Sequence, residues 1–258
     1  MKQILLICAV VMVGCGESKE ALEPSVTPKA TPEKETKNPD LPKAEVKKPL
    51  TKEESAEVIE KAIRKELKKP TGELTEADLE KVTKLSLAGR QLTKLPEGLE
   101  KLTQLKSLNL YDNKLTDVKD LEKLTQLTRL VLNKNQLTEV PKELEKLTQL
   151  ERLSLVINKL TNVKGLEKLT QLKVLHLYRN QLTDVTGLEK LDQLTDLRLE
   201  GNQLTDVKGL KNLTQLKELY LNANPDLTKA QIDELTDDAE LQNLQQPQEV
   251  TALIPPRT

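Results

Sequence analysis

Between Leu105 and Leu127 the chain reads L-K-S-L-N-L-Y-D-N-K-L-T-D-V-K-D-L-E-K-L-T-Q-L, and 22 residues later it reads almost the same again. Leucines stand at Leu105, Leu108, Leu110, Leu115, Leu121, Leu124 and Leu127, with Val118 between them and Asn113 at a fixed place. A unit this short cannot bury its own apolar side chains. Only stacking against copies of itself removes them from water. Seven such units start at Val82, Leu105, Leu127, Leu150, Leu172, Leu194 and Leu216, the first and third lengthened by one residue at Pro96 and Pro141. Composition agrees: with three Tyr and no Trp or Phe, the core must be Leu and Val, which suits layers of one shape.

Within each unit the L-x-L pair predicts a short strand with both leucines pointing inward. The L-E-K-L-T-Q-L half predicts turns or 3₁₀ pieces on the opposite, convex side. Asn113, Asn135, Asn158, Asn180, Asn202 and Asn224 occupy one column, where a buried amide can pair with backbone groups as the strand turns away. These asparagines read as a structural ladder. Arg90 breaks the column in the first unit, which predicts a looser layer there.

The pattern L-x-x-L-x-L-x-x-N-x-L over residues 82–227 resembles the leucine-rich repeat family, specifically the 22-residue form found in bacterial internalin-like proteins. The resemblance implies an α/β solenoid with parallel strands on a concave face, turns or 3₁₀ segments on the convex back, and helical caps at both ends. A cap over residues 51–81 is also what the residues predict. Thr51 with Glu54, and Thr75 with Asp78, have the spacing of capping boxes, and Val58, Ile59, Ala62, Ile63 and Leu67 recur at helical spacing. After the array, Thr228 with Gln231 opens a C-terminal cap over 228–244, with Ile232, Leu235 and Leu241 on one side, and residues 245–258 read as a loose tail.

Residues 1–14 have one lysine followed by an apolar run from Ile4 to Val13, too short to span a bilayer and suited to a signal peptide. Val11-Met12-Val13-Gly14-Cys15 resembles a bacterial lipobox, although Met12 stands where leucine is usual. That resemblance implies a diacylglycerol on the Cys15 thiol and a lipid-anchored place in the bacterial cell envelope. Gly16, where inner-membrane retention would call for aspartate, favours the outer membrane if the cell is Gram-negative. Residues 15–50, rich in Pro, Lys, Glu and Thr, read as a disordered tether.

The remaining residues exclude much. A formal charge of −1 with interleaved signs offers no field for nucleic acid. Both cysteines, Cys8 and Cys15, precede the predicted domain, and one histidine, His176, leaves no second imidazole for a metal site or a Ser–His pair. The acidic stretch 71–80 lacks the ligand spacing and glycine of a calcium loop. No cofactor, metal or catalytic residue is predicted, and an enzyme is not expected.

The informative positions are those on which the repeats disagree. All three tyrosines and the histidine fall among side chains predicted to point outward from the strands. The predicted partner-binding residues are Tyr111, Val131, Val156, His176, Tyr178, Arg179, Arg198 and Tyr220, of the types that anchor protein interfaces. Arg179 and Arg198 beside His176 predict that its charged form is disfavoured. One outward column also runs from basic (Lys84, Arg129, Arg152) to acidic (Asp196, Glu218). The expected function is a monomeric, membrane-anchored protein that binds a protein partner through its concave face. The rival reading is an envelope spacer or self-associating component without a specific ligand.

Overall fold

The computed structural model describes residues 51–236. The predicted leader, Cys15, the tether, Leu241 and the tail lie outside the described residues. Two helices come first, α1 (Lys52–Leu67) and α2 (Glu76–Leu79). Seven strands follow: β1 (Lys84–Ser86), β2 (Ser107–Asn109), β3 (Arg129–Val131), β4 (Arg152–Ser154), β5 (Val174–His176), β6 (Asp196–Arg198) and β7 (Glu218–Tyr220). A 3₁₀ segment joins each strand to the next, and α3 (Lys229–Thr236) closes the described chain. The strands form one parallel sheet in sequence order, in a register that aligns Leu85, Leu108, Leu130, Leu153, Leu175, Leu197 and Leu219 in a single row.

The inner layers bury the same set. In the fourth these are Leu150, Leu153, Leu155, Leu160, Val163, Leu166 and Leu169, each at most 1% exposed. At roughly 1.5–3 kcal/mol for each such side chain, the leucine rows are the main term holding the stack together. The end layers need covers. Over the first, α1 lays buried Ile59, Ala62 and Ile63. Its N-terminus is fixed by Thr51, whose hydroxyl accepts from Glu54 N–H while Thr51 N–H donates to the Glu54 carboxylate. At the other end Thr228 and Gln231 reciprocate in the same way, and Ile232 is buried.

The asparagine column works between layers. Asn158 Nδ2 donates to Leu155 O in its own repeat and to Leu132 O in the preceding one, both at 3.0 Å. Its Oδ1 accepts from Leu137 N–H, again in the preceding repeat, at 3.1 Å. This direction corrects the expectation that Arg90 leaves the first layer loose. The first layer is served by Asn113, which accepts from Arg90 and Leu92 N–H and donates to Leu87 O. An asparagine at position 90 would have faced the cap, where there is no preceding repeat to bond.

The residue before each asparagine takes a left-handed conformation: Gly201 does so freely, but Asp112, Lys134, Ile157, Arg179 and Ala223 do so at φ 51–57°. On the back, Gly98, Gly165 and Gly187 open 3₁₀ segments at positive φ, and in each the glutamate two residues on accepts the glycine N–H. Glu100, Glu167 and Glu189 are therefore local turn clamps.

Candidate binding face

Side chains alternate in and out along a strand, so each repeat offers three outward positions. The middle one belongs to the strand's last residue, such as Val131, His176, Arg198 or Tyr220, and the third lies two residues on, at Tyr111 or Tyr178. Tyr111, at 36% exposure, is the most open large hydrophobic residue among those described. Lys134 from the next repeat sits over its ring, 5.1 Å from the centroid. Val131 is half-buried between Asn109 and Ser154 of the adjoining strands.

The face is richest over β5–β7. His176 and Tyr178 have ring centroids 6.5 Å apart, and the Arg198 guanidinium lies 4.7 Å from the centre of the Tyr220 ring. His176 Nε2 is 3.0 Å from Asp196 Oδ2, and Arg198 reaches Asp196 at 3.4 Å and Glu218 at 3.8 Å. Burial opposes the charge on Asp196, but the hydrogen bond from His176 and the charges of His176 and Arg198 outweigh it and hold the carboxyl below its ordinary range. Glu200 behaves oppositely. Its burial pushes the carboxyl up, and its Oε2 is buried without a hydrogen-bond partner. Burial also raises the Tyr220 hydroxyl, with Glu218 next in effect.

One sequence expectation changes, and two gain a position. Val156 is only 2% exposed: it is a short side chain set between Asn133 and Tyr178 in its column, and its N–H is held by Asn133 Oδ1 at 3.0 Å. It supports the face and does not present to a partner. Arg179 is exposed but occupies the left-handed position between outward Tyr178 and inward Asn180, beside Gly201, so it stands at the rim of the outward columns. The side chain that His176 meets directly is Asp196, an acid. The signal for that pair was available: the two lie 20 residues apart, two short of the repeat, which is the offset of diagonal neighbours on adjacent strands.

Among the described residues no group of three or more His, Cys, Asp or Glu is placed to hold a metal, and no helix is long and apolar enough to cross a membrane. The family model described as "Leucine Rich repeats (2 copies)" matches residues 80–123, 148–190 and 192–245. No curated protein matches the chain. Among solved structures the chain is similar to an internalin C2 from Listeria monocytogenes, at 31% identity over 66% of this chain and 80% of that one, with a TM-score of 0.60. An internalin (inlF) from the same organism is similar at 26% identity over 67% and 73% of the two chains, with a TM-score of 0.37. The functional domain of InlJ, also from that organism, is similar at 25% identity over 62% of this chain and 36% of that one, with a TM-score of 0.48.

Proposed function

The chain belongs to the leucine-rich repeat family, in its internalin-like form, and from that premise we propose that it is a lipid-anchored envelope protein that binds a protein partner through the outer face of its sheet. One observation carries the reading: the back repeats Leu-Glu-Lys-Leu through the first five layers, whereas every tyrosine and the histidine stand on the strand face. A face that served only to space layers apart would have no use for them, and large side chains gathered on a solvated surface mark interfaces. The chemistry of the face fits a protein ligand. It combines rings flanked by cations at Tyr111 and Tyr220 with a hydrogen-bonded His–Asp–Arg group.

Anchoring is supported by the lipobox-like run ending in Cys15 and by the Pro-rich stretch that follows it. A thioether-linked lipid there would hold the repeat domain at a bacterial membrane surface, the outer membrane in a Gram-negative cell. The test is affinity capture from envelope extracts, using wild-type chain, face variants and a variant of the back. Partner recovery that depends on the face and not on the back supports the reading. Recovery indifferent to the face returns the domain to the role of a spacer.

A further inference from the structure

Over β3–β7 the charges of the first outward column are antisymmetric about β5. On β1–β4 the outward columns hold three cations, Lys84, Arg129 and Arg152, and no carboxylate. On β6–β7 they hold three carboxylates, Asp196, Glu200 and Glu218, against one cation, Arg198. Between them, β5 and the position after it present Val174, His176 and Tyr178. Along the first column the order is Arg129, Arg152, Val174, Asp196, Glu218, in unbroken register.

Two of these residues are placed at a cost. Arg129 and Arg152 are direct neighbours on adjacent strands, both exposed, and like charges so placed repel. Neither side chain has a hydrogen-bond or ion-pair partner among the described residues. The carboxylates of the other half, by contrast, are partly engaged by His176 and Arg198. A carboxylate accepts several hydrogen bonds, so those contacts leave room for a further donor.

An antisymmetric column is the pattern an isologous interface requires, because a two-fold axis brings the same surface onto itself in reverse. We infer that the sheet faces of two copies of this chain pair about a two-fold axis running along β5, Arg129 of each copy meeting Glu218 of the other and Arg152 meeting Asp196. The axis parallel to the strands reverses the stacking order while keeping each column opposite itself. β3 then faces β7, β4 faces β6, and Val174 and His176 lie beside their own counterparts at the axis. This inference rests on the reading of the face as a protein-binding surface and names a second copy as its partner. It departs from the expectation of a monomer.

Five strands at a spacing of about 4.8 Å, each offering three outward positions, cover roughly 350 Å² per copy, well under the ~800 Å² of a stable complex. The dimer is therefore weak, and its exposed ion pairs make it sensitive to salt.

Sedimentation velocity on the full chain tests it. At about 0.2 mM protein and about 50 mM salt the wild type shows a concentration-dependent dimer, and at about 0.5 M salt a monomer. Arg129→Glu sets like charges against Glu218 of the other copy, and Glu218→Arg does the same against Arg129, so each single variant is monomeric at low salt. An equimolar mixture of the two single variants dimerises again, because each then meets its complement, and so does the double variant. A wild type that stays monomeric, a dimer indifferent to either substitution, or single variants that do not combine each overturns the inference. None of those results bears on capture of a different protein by the same face, so the two readings fail separately.

Discussion

His176 Nε2 lies 3.0 Å from Asp196 Oδ2, joining β5 to β6 across the outer face of the sheet. The ionised carboxylate accepts, so the imidazole donates from Nε2. Arg198 approaches the other oxygen of the same carboxylate at 3.4 Å. One acid thus organises two of the cationic or protonatable side chains on the face and fixes their rotamers before any partner arrives. A preordered face loses less side-chain entropy on binding.

The two perturbed carboxyls of this region predict pH effects of opposite sign. Asp196 has a folded pKa below its unfolded value. Its stabilising contribution is therefore complete above about pH 4 and is lost as pH falls through the folded value. Glu200 has a folded pKa above its unfolded value, so its charge destabilises the fold at neutral pH and that penalty vanishes on acidification. Asp196→Asn should lower the urea midpoint at pH 7 and Glu200→Gln should raise it; the Glu200 difference should close as pH falls below the free-glutamate value, and the Asp196 difference only as pH falls through its lowered folded value. Shifts of the same sign at pH 7 would contradict the assignment.

The asparagine ladder predicts a stability cost that a surface position does not share. Asn158→Ala leaves Leu132 O, Leu155 O and Leu137 N–H without their buried partner. The expected loss is on the order of 1–3 kcal/mol. Lys168 on the back makes only an exposed ion pair with Glu145, and Lys168→Ala should leave the urea midpoint at the wild-type value. Equal midpoints for the two variants would remove the ladder from the account of stability.

Ile157 predicts a gain. It holds φ 54°, a left-handed conformation that a β-branched residue occupies only under strain, while the equivalent position in another repeat is Gly201. Ile157→Gly should raise stability by about 1 kcal/mol. A fall in thermal midpoint would mean that packing of the half-buried isoleucine outweighs its backbone strain.

How far the sequence speaks depends on the period. Strand rows, asparagine column and caps were legible because each follows from spacing alone: Leu108 and Leu130 must align if the unit is 22 residues long, and Thr51 with Glu54 must begin a helix. Features set by neighbours in adjacent layers were not. Whether Val156 is covered depends on what stands at Asn133 and Tyr178, and whether His176 meets an acid depends on side-chain reach across strands. The effect of Arg90 was misread for a related reason. A column of asparagines shows that a ladder exists, but not that each member bonds toward the preceding repeat. Left-handed Ile157 leaves no mark in the hydrophobic pattern at all.

Anchoring predicts a simple chemical result. Only a thiol accepts the diacylglycerol thioether, so Cys15→Ser should abolish incorporation of a fatty-acid probe and release the chain from the membrane fraction. Equal labelling of wild type and variant would sink the lipid anchor.

The last prediction concerns the face itself. Tyr178 and Tyr220 flank the His176–Asp196–Arg198 group, one within ring-contact distance of His176 and the other beneath the Arg198 guanidinium. Both are half-buried, so each already has its backbone side packed while its outer side remains available. Side chains of this kind, rigid and only partly exposed, anchor interfaces at small entropic cost. Neither belongs to the leucine core, so removing them should leave the stack intact. We therefore expect Tyr178→Ala combined with Tyr220→Ala to weaken capture of the partner at least tenfold, about 1.4 kcal/mol, with little change in unfolding midpoint. Lys168→Ala is the control of choice on the back, because Glu167 holds the Gly165 N–H and its loss would disturb a turn. Binding titrations of the three proteins decide the matter. Undiminished binding by the double variant would mean that the tyrosines are only solvated, and a loss shared by the control would mean that the contact lies on another surface.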